Sequence, residues 1–253
     1  MAKKAIGIDI GGTGIKAAIV NVKKGELVGE RIRVMTPEGG EPADIARVVR
    51  DLVEQLGGAS NAMPVGICFP AVVKHGHTMS AANISKDWIG LDAERLFNEA
   101  LGRHVHIVND ADAAGVAEVK FGAARKNTGL VFMSTLGTGI GTALFINGEL
   151  VPNAELGHLE IDGVDYETMA AYSAMEREEL SFAEWAKRLQ RYYSTVERLF
   201  SPDLIIVGGG ISKSHEEFLP LLTLNADIVP ALKRNNAGIL GAAALAFKNR
   251  DEN

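Results

Sequence analysis

"AIGIDIGGTGIKAAIVNVKKGELVGE", residues 5–30, decides the fold. An apolar run carries Asp9, a Gly-Gly-Thr-Gly turn follows, and a second apolar run begins at Ile15. Glycines after a strand suggest phosphate, and the two familiar versions place a helix directly behind the turn. Here "IKAAIVNV" is rich in β-branched residues and too short before "KKGE" to make a good helix. The next run, "GELVGERIRVM", alternates as a further strand does. The order is strand, glycine turn, strand, turn, strand: a meander of hairpins. The P-loop spacing (Gly, four residues, Gly-Lys-Ser/Thr) is absent as well.

The pattern then returns. "LVFMSTLGTGIGTALFINGELV", residues 130–151, repeats apolar run, Gly-Thr-Gly-Ile turn, apolar run and Gly-Glu-Leu-Val. Thr13-Gly14-Ile15 matches Thr138-Gly139-Ile140 at an offset of 125, and Gly25–Val28 matches Gly148–Val151 at 123. Two matches in order at nearly one offset predict two similar lobes, each opening with a glycine hairpin. Such hairpins present backbone N–H groups to anions without needing net positive charge.

That independence from charge matters, because the 253 residues carry a formal net charge of −6. Bulk attraction to nucleic acid or an acidic membrane is disfavoured. The single cysteine, Cys68, excludes an intramolecular disulfide, and its setting "VGICFP" predicts a buried structural thiol. The opening "MAKKAIGIDI" enters a strand at once and no apolar run reaches membrane length, so a cytoplasmic protein is expected.

The remaining segments alternate between helix and strand signals. Helices are predicted over 42–57, 91–102, 111–124 and 181–200, and in the Ala-rich segment after Asn235 or Asn236, either of which suits a helix cap. Strands are predicted over 63–73 and 104–110, and in "PDLIIVGGGISK" (202–213), where the chain runs into three glycines. The class is α/β, with residues 152–180 expected to be rich in loops.

Five segments taken in order, "DIGGTGIK", "VND" before a helix, "LGTGIG", "ELGH" and "VGGGISK", resemble the sugar kinases of the ROK family, within the actin-like ATPase superfamily. The resemblance spans nearly the whole chain. It implies a two-lobed actin-like (ribonuclease H-like) fold, with an N-terminal lobe over 1–109 and a C-terminal lobe over 110–236. A helix at about 237–249 is expected to pack back on the first lobe. "ELGHLEIDG", "WAKRLQRYYSTVERLFSPDLIIVGGGISK" and the short length narrow the likeness to bacterial members that phosphorylate glucose with inorganic polyphosphate, some of which accept mannose. Many relatives carry a Cys-rich zinc loop after the Glu-Gly-His-type motif. "HLEIDGVDYETMAA" has no cysteine, so no zinc site is expected.

The resemblance also assigns residues. Asp110 matches the family's catalytic Asp and would act as general base toward a sugar hydroxyl; the competing reading makes it a helix cap. Asp112 is read as structural. Asn109, Glu155, His158 and Glu167 match the sugar-binding positions, and Asn83 joins them. Trp88 either shapes the sugar rim or belongs to the core. Asp9 matches a carboxylate that holds magnesium, through water. Gly11, Gly12, Thr13 and Lys16 would meet phosphate from one lobe, and Gly137, Thr138 and Gly139 from the other, although Lys16 also reads as a solvated strand residue. Ser134 takes the place of Asp9 in the second copy. Gly208, Gly209 and Gly210 match a nucleotide-side loop. Candidates for a polyphosphate groove are Lys120, Arg125, Lys126, Lys187, Arg188, Arg191 and Lys213, each otherwise an ordinary surface charge.

The implied activity is phosphoryl transfer from polyphosphate, with ATP as a second donor, to the 6-hydroxyl of glucose. A homodimer is implied, with helix 181–200 a contributor. Three rivals remain at this point: a strictly ATP-dependent hexose kinase, a sugar-responsive regulator and a non-catalytic sugar binder. A strand beginning by residue 5 leaves the regulator no DNA-binding segment in front of it, and the acidic charge also disfavours it.

Overall fold

A computed structural model describes residues 3–57, 63–81 and 84–250. The first hairpin forms as its β-branched composition predicts. Strands β1 (Lys4–Gly11) and β2 (Gly14–Asn21) pair antiparallel with Gly11 opposite Gly14, so Gly12 and Thr13 are the turn. Strand β3 (Glu26–Val34) continues the meander. Helix α1 (Pro42–Gln55) leads to β4 (Val65–Phe69), which lies parallel to β1. That strand is shorter than the predicted 63–73, because Pro70 has no N–H to continue the ladder. A small hairpin, β5 (Val73–Lys74) and β6 (His77–Thr78), precedes helix α2 (Ala93–Leu101). Strand β7 (Val105–Asn109) then adds parallel to β4 and runs directly into helix α3 (Asp110–Phe121). The first sheet has the order β3-β2-β1-β4-β7.

The second half repeats this order. Strands β8 (Leu130–Leu136), β9 (Ile140–Ile146) and β10 (Glu149–Val151) form the meander. Residues 152–180, expected as loops, contain a two-stranded hairpin, β11 (Glu160–Ile161) and β12 (Val164–Asp165), and the short helices α4 (Glu167–Ala170) and α5 (Tyr172–Arg177). Helix α6 (Phe182–Phe200) starts at a capping box made by Ser181 and Glu184. Strands β13 (Leu204–Gly208) and β14 (Asp227–Pro230) complete a sheet of order β10-β9-β8-β13-β14. Helix α7 (Ala237–Lys248) follows. Asn236 stands at its cap position, but the side chain accepts from Arg31 at 3.0 Å rather than from the helix, which corrects the capping role expected of it.

Contacts divide the chain into two units, one up to Ala117 together with residues from Asn236 onward, the other Glu118–Asn235. In the first, Ile6, Ile8 and Ile10 of β1 face α1 and α2 in a core that also holds Phe69, Trp88 and Phe97. Alternate residues point the other way. There Gly7 and Gly66 admit the α7 backbone so closely that a Cβ at either would lie 2.0 Å from the carbonyl oxygen of Ile239 or Ala242. In the second unit, Phe132, Trp185, Tyr192, Tyr193 and Phe218 form the core under α6.

Candidate functional site

In the first unit the site begins at Asp9, near the end of β1. Its Oδ2 accepts from Lys16 Nζ at 2.8 Å across the hairpin, where the two residues are register partners. Its Oδ1 lies 3.6 Å from the Cys68 thiol, on the neighbouring strand. Cys68 is buried, and burial above all pushes its thiol up, with the carboxylates of Asp9 and then Asp110 adding to the rise. The thiol therefore stays protonated and able to donate. From α7, Gly238 closes over this pair: a Cβ there would sit 2.8 Å from Cys68 Sγ and 3.4 Å from Asp9 Cγ. Lys16 is thus part of an ion pair rather than a solvated strand residue.

Asn109 and Asp110 mark the step from β7 into α3. The Asn109 Oδ1 accepts from Ala111 N–H at 2.9 Å and Asp112 N–H at 3.1 Å, while its Nδ2 donates to the Ala71 carbonyl at 3.0 Å. Both lone pairs of that buried oxygen are committed, so any bond to a sugar would come from the remaining Nδ2 hydrogen. Capping of α3 falls to Asn109. Asp110 is exposed, with Oδ1 accepting from Ala111 N–H at 2.8 Å. Gly12 and Thr13 are exposed at the hairpin tip, and the Gly11 carbonyl accepts from Thr36 Oγ1 at 2.5 Å. Asn83 lies outside the described residues. Trp88 is a core residue and not a rim: it is buried, stacks on Phe97 and donates to the Gly40 carbonyl at 2.8 Å.

In the second unit the turn Gly137-Thr138-Gly139 joins β8 to β9, with Leu136 opposite Ile140. Ser173 fixes it from α5, its N–H bonding the Gly137 carbonyl at 3.0 Å and its hydroxyl the Thr138 carbonyl at 2.6 Å. Glu167 fixes the other side, Oε2 accepting from Ile140 N–H at 2.6 Å. The Glu155–His158 segment packs against the same place, because a Cβ on Gly157 would lie 1.9 Å from the Ile140 carbonyl oxygen. His158 Nδ1 is 2.9 Å from Asp165 Oδ2, and Asp165 Oδ1 accepts from Glu167 N–H at 3.2 Å. The bond to Asp165 is the main cause raising the His158 pKa, with the charges of Glu167, Asp165 and Glu155 adding. Glu155 lies at the surface, yet neighbouring protein withdraws enough water to push its carboxyl up, and Glu167 adds to this against the pull of His158.

The three glycines that close β13 and follow it behave differently from one another. Gly209 has φ +85°, and a Cβ there would lie 2.1 Å from the Leu136 carbonyl oxygen, so fold geometry alone demands a glycine. Gly208 is confined by Met133, whereas Gly210, like Gly137, faces open space. Ser134 is buried and bonds the Tyr193 hydroxyl at 2.7 Å, a core contact where the first copy has its ion pair. Among the basic candidates, Arg188 pairs with Glu178 and Arg191 with Asp162, so neither is a simple exposed cation. Lys126, Lys187 and Lys213 are exposed. Sequence reasoning missed Asp165, Ser173 and Gly238. Only Asp165 had a signal, the Asp-Gly dipeptide that opens its hairpin.

Two five-stranded sheets of matching order, each opened by a glycine hairpin, define the actin-like ATPase fold of the ROK sugar kinases. A family model described as "ROK family" matches residues 5–172. The chain is 43% identical to a polyphosphate glucokinase of Mycobacterium tuberculosis, over 95% of this chain and 90% of that protein. The inorganic polyphosphate/ATP-glucomannokinase of Arthrobacter sp. strain KM superposes with a TM-score of 0.90 at 52% identity, covering 97% of this chain and 99% of that one. A ROK glucokinase from Streptomyces griseus, solved with glucose and AMPPNP, shares the fold at a TM-score of 0.80 and 24% identity, covering 97% and 99%. This chain belongs to the ROK family. No helix among the described residues is long and apolar enough to cross a membrane.

Proposed function

We propose that this chain is a polyphosphate-dependent glucokinase, moving a terminal phosphoryl group from inorganic polyphosphate, or from ATP, to the 6-hydroxyl of glucose. The observation that carries the donor assignment is the full-length likeness to two polyphosphate-using enzymes, at 43% and 52% identity. Mannose as a second acceptor, a homodimer and a cytoplasmic location, where ATP and sugar phosphates are held, belong to the same reading. In the dimer, α6 would contribute through its exposed end at Leu199, because its apolar face is spent on the core of its own unit.

Asp110 would take the hydroxyl proton as the new bond to phosphorus forms; the donor leaves one phosphate shorter, or as ADP. Its exposure and the transfer of capping to Asn109 support that role. Glu155, His158 and Glu167 would accept and donate to sugar hydroxyls, and Asn109 would donate. The Gly137–Gly139 turn would receive donor phosphates, as would the Gly11–Thr13 turn with Lys16. Gly208–Gly210 would border the donor. Among the described residues no three His, Cys, Asp or Glu converge as a metal cluster. The single carboxylate of Asp9 suits magnesium, which keeps most of its water and shares phosphate oxygens. Bound there, the ion would neutralise charge developing on the donor.

A donor comparison tests the reading. With glucose and magnesium, the purified chain is expected to make glucose 6-phosphate from both polyphosphate and ATP. Turnover with ATP alone would remove the polyphosphate assignment, and no turnover with either would remove the kinase.

A further inference from the structure

Strands β11 and β12 are joined by Asp162 and Gly163, with φ of +57° and +79°. Two consecutive positive φ values make a type I′ turn, the connection whose twist matches a tight hairpin. The register that follows places Asp165 opposite Glu160. Arg191 of α6 holds the turn, its Nη2 lying 2.9 and 3.0 Å from the two Asp162 carboxylate oxygens. On the other side of Asp165, the Thr168 hydroxyl donates to its backbone carbonyl at 2.7 Å. The backbone that carries Asp165 is thereby held, and each of its carboxylate oxygens has a separate partner. Oδ2 meets His158 Nδ1 at 2.9 Å and Oδ1 meets Glu167 N–H at 3.2 Å.

We infer that Asp165 is a positioning residue for the acceptor sugar, one carboxylate that holds His158 and Glu167 at a fixed spacing. The inference rests on the reading of those two residues as sugar ligands. A carboxylate only accepts, so the hydrogen of the shared bond sits on His158 Nδ1 and leaves Nε2 as the ring nitrogen that meets a hydroxyl. Anchoring the Glu167 backbone starts α4 where the Glu167 carboxylate reaches Ile140 N–H, 2.6 Å away. One side chain therefore sets a histidine's tautomer and a glutamate's reach together.

Asp165→Asn separates this from a surface contact, because an amide has one acceptor oxygen and must turn an N–H toward one of the two donors. In the full-length enzyme, the variant is expected to raise the KM for glucose about tenfold or more, the scale of mispairing a hydrogen bond to a charged group. The kcat should stay within about threefold, and the KM for polyphosphate should rise much less than that for glucose. The charged groups facing His158 are Asp165, Glu167 and Glu155. In the wild type its ring, followed by NMR, should therefore titrate above the ordinary histidine value, and Asp165→Asn should bring it down. A glucose KM within twofold of wild type, or a donor KM that rises as much, overturns the inference. So does a wild-type ring titrating at or below the ordinary value, a result that stands even if the variant does not fold. A wild type that phosphorylates no hexose would instead overturn the kinase reading, while the ring titration still reports whether Asp165 holds His158.

Discussion

Lys16 Nζ sits 2.8 Å from Asp9 Oδ2, both side chains partly buried at the base of the first glycine hairpin. The contact fixes both side chains against each other, and in the proposed reading Asp9 would serve the cation and Lys16 the phosphate. Asp9→Asn is expected to raise the magnesium concentration for half-maximal rate and to lower kcat about 100-fold, the scale of losing one group that stabilises transferring charge. Lys16→Met should instead raise the KM of both donors about tenfold. Rates measured across a magnesium titration separate the two.

Asp110→Asn keeps the size and the acceptor oxygen that meets Ala111 N–H, so α3 should still form. Loss of a general base costs roughly 100- to 10,000-fold. The variant should bind glucose normally by calorimetry and turn it over at that reduced rate. Substantial remaining activity would refute Asp110 as the base.

The two outer glycines of the second turn give different expectations. Gly137→Ala places a methyl in open space, so the thermal midpoint should hold, and donor KM should rise if the turn receives phosphate as proposed. Gly139→Ala places its Cβ 2.4 Å from Glu167 Oε2, displacing that carboxylate from Ile140 N–H and raising glucose KM as well. Paired KM measurements for donor and acceptor decide this.

Glu155 carries a raised carboxyl pKa, caused first by desolvation. The folded state thus holds the acidic proton more tightly than the unfolded chain. That contribution is full below about pH 4.3, the unfolded value, and is lost as pH climbs through the raised one. Above that window the charged form is the one that folding disfavours. Glu155→Gln should therefore raise the melting temperature at pH 7, show little difference near pH 4, and raise glucose KM roughly tenfold through a mispaired hydroxyl. Melts at the two pH values, with kinetics at pH 7, check it.

Gly66→Ala would press a methyl to 2.0 Å from the Ala242 carbonyl oxygen, backbone against which nothing flexible yields. A cost of about 3 kcal/mol, at the upper end for overpacking, corresponds to roughly 6–12 °C in the melting midpoint. Calorimetry on the purified variant reads it.

The duplicated meander was legible because a glycine turn and the Gly-Glu-Leu-Val that follows it are local signals, and both copies form the hairpins those signals predict. Helix α6 was legible from its apolar spacing. The β11–β12 hairpin and β14 were not, since strands of two to four residues have too few alternations to show a period. Asn109 and Asp110 stand side by side as polar residues at a strand end, and only geometry assigns the cap to the first. Trp88 could be read as rim or core until Gly40 and Phe97 enclosed it. Ser173 acts by hydrogen bonds to residues 35 and 36 positions away, which no local pattern encodes.

Helix α7 covers Gly7 and Gly66 from far along the chain, while every element from β8 to β14 comes from one unbroken stretch. During synthesis the first sheet leaves the ribosome early yet waits, its glycine face bare, until the last helix emerges. The second unit can bury its core as soon as Asn235 is out. The half made first is thus the half completed last.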